Sequence, residues 1–200
     1  MLLSNCRINI LIIDQHLCTC TYFKGEDGNA MPDLERPVQA VSQAVTNLVR
    51  VGKDTITSSQ DPKLKNEMPK SLNIIEKAAE LLEQACREMK SDPYSQNGRD
   101  RLISGSRGIL QGTTSMLVTF DESQVRKLCR DCKKVLDYLA ISEVIETMED
   151  LVQFVKDLSP CLSKVSHDVE TRRKDLLNPY QRDILGQHLE QVKTLAPILM

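Results

Sequence analysis

Residues 99–140 read RDRLISGSRGILQGTTSMLVTFDESQVRKLCRDCKKVLDYLA, a long stretch without proline. Its apolar residues recur mostly at spacings of three, four or seven, which places them on one helical face. They are Leu102, Ile109, Met116, Phe120, Val125, Leu128, Val135 and Leu139. We therefore predict a single helix over about residues 98–139. Such a helix is too long for one small bundle, so we expect its two halves to serve two different cores.

The composition limits the kind of fold and the kind of partner. The chain has 200 residues, of which 40% are apolar and only 4% aromatic, with no Trp. Leu, Val, Ile, Ala and Met must then fill the core, which is typical of helix-on-helix packing. A net charge of −2 provides no basic surface for nucleic acid, so no nucleic-acid partner is expected. The seven scattered cysteines, without a clear secretory signal, indicate reduced thiols in the cytosol.

The segments beside the central stretch are also helical in pattern. Pro32-Asp33 begins a helix with an apolar heptad face, and Asp61-Pro62 ends it. In the next helix, from about Lys63 to Lys90, Pro69 either kinks the beginning or marks the true start. Because no strand-like alternation follows residue 30, we predict an all-α fold.

After the central helix, Ser142 is followed by acidic residues, a pattern that predicts an N-cap of the next helix. Asn178-Pro179 separates the helix that follows from a last one, which begins near Tyr180. The second core then has only three elements, and the final residues are apolar. This pattern indicates a fragment of a longer chain.

Residues 1–23 carry a short β-branched run that is too short to span a membrane. The spacing of its apolar residues fits a helix and a strand equally well. We expect this segment to be the least well packed part of the chain.

No stretch of the sequence predicts catalysis, a metal site or a cofactor. Gly105-Ser106-Arg107-Gly108 lacks the spacing of a phosphate-binding loop, so we interpret its small residues as allowing close approach of a neighbouring helix. Cys129 and Cys132 form a CxxC pair that allows redox chemistry, but small apolar residues in or beside a core are the favoured interpretation. The acidic residues Glu143, Glu146, Glu149 and Asp150 indicate a solvated helix face.

Four long stretches resemble the head region of the vinculin and α-catenin family, and they are closer to the vinculin branch. They are MPDLERPVQAVSQAVTNLVRVGKDT (31–55), SDPYSQNGRDRLISGSRGILQGT (91–113), TFDESQVRKLCRDCKKVLDYL (119–139) and EVIETMEDLV (143–152). The resemblance covers Ala30–Met200 and implies tandem up-down four-helix bundles that share one long central helix. Residues 1–30 would be an atypical N-terminal segment and loop, 31–120 the first bundle, and 121–200 a second bundle truncated at its C-terminus. Residues 1–23 do not match the first helix of the family.

The resemblance also implies a function: a non-enzymatic cytoplasmic scaffold at adhesion sites on the inner face of the plasma membrane. The family's head accepts amphipathic helices of talin and α-actinin, whereas a separate tail binds actin and acidic lipid and folds back on the head. The implied partner-helix groove consists of Pro37, Val41, Ala44, Leu48 and Val51 on one helix and Leu117 and Phe120 on the central one. All of these residues would also be core if nothing ever bound. An inert structural spacer or dimerisation module is therefore the alternative, and a thiol redox protein a third.

Overall fold

The computed structural model describes residue 13 and residues 34–199, with side chains through residue 195. The helices are α1 (Glu35–Ser58), α2 (Pro62–Ser91), α3 (Gln96–Ile141), α4 (Met148–Asp175) and α5 (Pro179–Leu199). A 3₁₀ turn, Ser142–Val144, follows α3. The part of the chain that the structure describes contains no strand, so the all-α prediction is confirmed.

Helix α3 is continuous over 46 residues, which confirms the single helix predicted for residues 98–139. At 1.5 Å per residue its length is about 69 Å. The stretch Phe120-Asp121-Glu122, where the apolar pattern is weakest, remains helical.

Of two predicted helix starts, one is confirmed and one is wrong. Helix α2 begins at Pro62, one residue before the predicted Lys63 and with Pro69 inside the helix, because the Asp61 carboxylate accepts a hydrogen bond from the Lys63 amide (3.0 Å) and Pro62 occupies the first turn. Helix α4 is capped by Thr147 rather than Ser142, since the Thr147 hydroxyl accepts from the Asp150 amide at 3.1 Å.

The chain divides into two compact units between Ser123 and Gln124, inside α3. The core of the first unit comes from α1, α2 and the first half of α3. Its most deeply buried side chains are Ile13, Val41, Leu48, Leu64, Met68, Ile75, Leu82 and Ile109. The assignment of residues 31–120 and 121–200 to two four-helix bundles remains a prediction.

The second unit has a smaller core among its described residues. Val135 of α3 packs with Phe154 and Leu158 of α4, and partly buried apolar side chains surround these three. On its surface, Asp131 of α3 forms an ion pair with Lys164 of α4. Helix α5 packs against α4 and buries Leu189.

Three glycines of α3 face α2 and allow the two helices to approach closely. A Cβ added at Gly105 would lie 2.8 Å from the Ala78 carbonyl oxygen, and one at Gly108 would lie 2.7 Å from the Ala78 Cβ. One at Gly112 would lie 2.6 Å from Ile75 Cγ1. These distances are too short for real contacts, so the close-approach interpretation of the glycine-rich stretch is confirmed.

The prediction that residues 1–23 pack poorly falls, apart from Ile13, outside the described residues. Ile13 is helical and only 1% exposed, and it belongs to the core of the first unit. At this position the expectation of poor packing is wrong. The β-branched side chain is buried among apolar residues of the first unit although its neighbours in sequence lack heptad spacing.

Candidate functional site

Helix α1 presents the first part of the proposed groove. Val41, Ala44, Leu48 and Val51 follow one another at spacings of three and four, so they share one face of the helix. All four are buried, and Val41 and Leu48 have no exposed surface. Pro37, in the first turn of α1, is half-buried. A partner helix can therefore reach this face only if the first unit rearranges.

The residues of the groove do not all belong to the same core. Val41, Ala44 and Leu48 are members of the contiguous core of the first unit, and the half-buried ring of Phe120 packs against it. Val51 is buried and Leu117 is half-buried, and neither belongs to that core. The structure thus brings together four of the seven residues that the resemblance implies.

Polar contacts connect α1 to α2 along the surface of the first unit. Lys90 pairs with Glu35 at 2.9 Å, and the Ser42 hydroxyl donates to Glu83 at 2.8 Å. Near the other end of α1, Lys53 pairs with Glu76 at 3.1 Å. Exposed pairs of this kind contribute little stability. They show the register of α1 against α2, which the shared apolar core holds.

The carboxylate of Glu88 holds the connection between α2 and α3. It accepts hydrogen bonds from the Ser95 hydroxyl (2.6 Å) and the Asn97 amide, and Arg101 pairs with it at 3.0 Å. The hydrogen bond from Ser95, helped by Asn97 and Arg101 and opposed by desolvation, lowers the pKa of Glu88 below its usual value. This cluster stabilises the start of α3, since the Ser95 hydroxyl also accepts from the Gly98 amide.

In the CxxC pair, Cys132 lacks the features of a reactive thiol. Cys129 is exposed and Cys132 is half-buried. Desolvation raises the pKa of the Cys132 thiol, and Cys129 and Asp131 add to the effect. A redox-active cysteine needs the opposite shift, because the thiolate is the nucleophile. Among the described residues, no group of three or more His, Cys, Asp or Glu side chains is arranged to hold a metal ion.

One buried polar residue near the groove escaped sequence reasoning. Thr113 of α3 is 5% exposed, and among the described residues no atom forms a hydrogen bond with its hydroxyl. Thr113, Leu117 and Phe120 are spaced as i, i+4 and i+7, so this spacing was the signal that could have indicated it. None of the described helices combines the length and apolar content that a membrane span requires.

Comparison with known proteins places the chain beside one family. The sequence model of the Vinculin family matches residues 14–200. Vinculin of Drosophila melanogaster is 62% identical over 88% of this chain, and vinculin of Homo sapiens is 48% identical over 87%. The chain spans only 18% and 15% of the length of these two relatives.

Among solved structures, a sponge vinculin homologue described as revealing vertebrate-like cell adhesions superposes with a TM-score of 0.80. It is 32% identical, and the match covers 96% of this chain and 24% of the sponge chain. The family match begins at residue 14. The alignments with the vinculins of Drosophila melanogaster and Homo sapiens span 177 and 174 of the 200 residues, so the departure expected over residues 1–23 stays a prediction.

Proposed function

The chain belongs to the vinculin family, and on that premise we propose that it is a non-enzymatic scaffold of cell adhesions that binds amphipathic helices of the talin and α-actinin type. It acts at adhesion sites on the cytoplasmic face of the plasma membrane. In a longer parent protein, a vinculin-type tail supplies actin binding and folds back on these helices. Residues 1–200 reach actin only through such a tail.

One observation carries the proposal: the apolar face of α1 and the Phe120 ring of α3 belong to one packed core. Val41, Ala44 and Leu48 supply anchors of the kind that helix-in-groove recognition uses. An entering amphipathic helix exchanges internal contacts of this core for contacts with the partner. The exchange needs little net free energy where the partner contacts bury as much apolar surface as the internal contacts that they replace.

A second candidate, the inert spacer or dimerisation module, is favoured by the complete burial of Val41 and Leu48. If the first unit never opens, this face is only core. Calorimetric titration of the wild-type chain with a talin-type amphipathic helix peptide separates the two candidates. Binding supports the scaffold, and its absence supports the spacer.

The variant Ala44→Ile tests the groove itself. Ala44 is buried between Val41 and Leu48, so added bulk there overpacks a filled core and hinders entry of another helix. We expect the peptide to bind at least tenfold more weakly, about 1.4 kcal/mol, while circular dichroism shows a folded chain. Thr46→Ile is the matched control, because Thr46 is exposed on the same helix. Equal affinities for wild type and Ala44→Ile would remove the groove assignment.

A further inference from the structure

The hydroxyl of Thr113 is buried and unpaired in the first unit, as far as the described residues extend. Comparable hydroxyls on α3 are paired: those of Ser106 and Thr119 donate to the carbonyl four residues earlier, at 2.8 and 2.9 Å. A buried hydroxyl without a partner has lost its water and gained nothing in exchange. The resting unit is therefore less stable than it would be with an apolar side chain at this position.

Thr113 lies on the face of α3 that carries the two groove residues of that helix. It precedes Leu117 by four residues and Phe120 by seven, so the three share one helical face. Ile109 and Met116, on either side of it in sequence, belong to the core of the first unit. A helix that packs against Leu117 and Phe120 passes the Thr113 hydroxyl.

We propose that Thr113 is a specificity-determining residue of this groove, whose hydroxyl forms a hydrogen bond with a serine or threonine on the otherwise apolar face of the partner helix. The proposal rests on the proposed function. A partner hydroxyl can both donate and accept, so it suits either orientation of the Thr113 hydroxyl. A charged partner side chain is disfavoured, because it would be buried away from water. A wholly apolar helix leaves Thr113 as unpaired as it is at rest.

The first test needs no partner and compares Thr113→Val with Thr119→Val by thermal unfolding. Valine keeps the shape of threonine and removes the hydroxyl. We expect Thr113→Val to raise the unfolding midpoint by about 2–4 °C. Thr119 is the matched control, since it is 6% exposed on the same helix and its hydroxyl is already paired; its variant should not unfold at a higher temperature. A lower midpoint for Thr113→Val would show that the hydroxyl has a partner in solution and would overturn the proposal.

The second test measures the preference for a partner hydroxyl. A talin-type helix peptide and a series with single Ala→Ser changes on its apolar face are titrated into the wild-type chain by calorimetry. At one position, serine should strengthen binding about tenfold over alanine. This preference should disappear in Thr113→Val and persist in Thr119→Val. Peptides that bind without any Thr113-dependent preference overturn this proposal alone, whereas a complete absence of binding overturns the proposed function and this proposal with it.

Discussion

The contact between Gly108 of α3 and Ala78 of α2 makes a double-mutant cycle possible. A Cβ added at Gly108 would lie 2.7 Å from the Ala78 Cβ, and the next nearest atom, the Ala78 Cα, is 3.8 Å away. The clash thus involves a single methyl group. Gly108→Ala should be destabilising in the wild-type chain and stabilising in an Ala78→Gly background, where the methyl group is absent.

The expected magnitudes follow from two opposing effects. Replacing glycine by alanine inside a helix gains about 1 kcal/mol of stability from propensity. Overpacking at a contact that cannot relax costs about 1–3 kcal/mol. In the wild-type chain the overpacking dominates, and Gly108→Ala lowers the free energy of unfolding by up to about 2 kcal/mol. In the Ala78→Gly background only the propensity gain remains. The coupling energy between the two sites is then about 1–3 kcal/mol.

Urea unfolding of the four chains, followed by circular dichroism, measures this coupling. Gly186→Ala on α5 is the control, since its added Cβ would meet first the flexible side chain of Arg173, at 3.3 Å. That variant should be more stable by about 0.5–1 kcal/mol. The reasoning is refuted if Gly108→Ala has the same effect with and without the Ala78 methyl group, or if it stabilises the wild-type chain as Gly186→Ala does.

Two further predictions concern the second unit. Thr147→Ala removes the cap of α4 and should lower the free energy of unfolding by about 1 kcal/mol; an unchanged urea midpoint would show that the cap contributes nothing. The hydrogen bond from Lys164, opposed by desolvation and aided by nearby lysines, lowers the pKa of Asp131. A lowered carboxyl pKa supplies stability above the unfolded pKa of about 3.9, and this stability is lost as the pH falls through the lower folded pKa. Asp131→Asn should therefore destabilise the chain in urea at pH 7, and the deficit should shrink in acid; a deficit that is the same at both pH values contradicts the ion pair.

The sequence was sufficient to predict helices that carry long apolar repeats. It was not sufficient where two short polar segments could each begin the same helix. The stripe from Leu102 to Leu139 was sufficient for α3, because no proline or polar run offers an alternative. The start of α4 was missed because both Ser142 and Thr147 are hydroxyl residues followed by acids. In the structure Ser142 begins a 3₁₀ turn, and Thr147 caps α4. Of the two readings of Pro69, a start there is excluded, since α2 already begins at Pro62 behind the capping Asp61.

The sequence predicted which helix faces form the candidate site, but not which polar side chains within it form hydrogen bonds. Heptad spacing placed Val41, Ala44 and Leu48 on one buried face of α1, as the structure has them. Their assignment to a groove came from the resemblance, because periodicity cannot separate a core face from a binding face. Nothing in the sequence distinguishes the unpaired hydroxyl of Thr113 from the paired one of Thr119, since both threonines are helical and buried. The difference in hydrogen bonding is visible only in the structure.

The central claim is that the apolar face of α1 contacts a partner helix directly. Nuclear Overhauser effects between the methyl groups of Val41 and Leu48 and the protons of a bound talin-type helix peptide measure this contact most directly. Both residues are fully buried at rest, so their methyl groups can meet a peptide only after the first unit has opened. The account predicts strong nuclear Overhauser effects from both methyl-bearing side chains to the bound peptide. A peptide that binds while both methyl groups keep only their intramolecular contacts would contradict it.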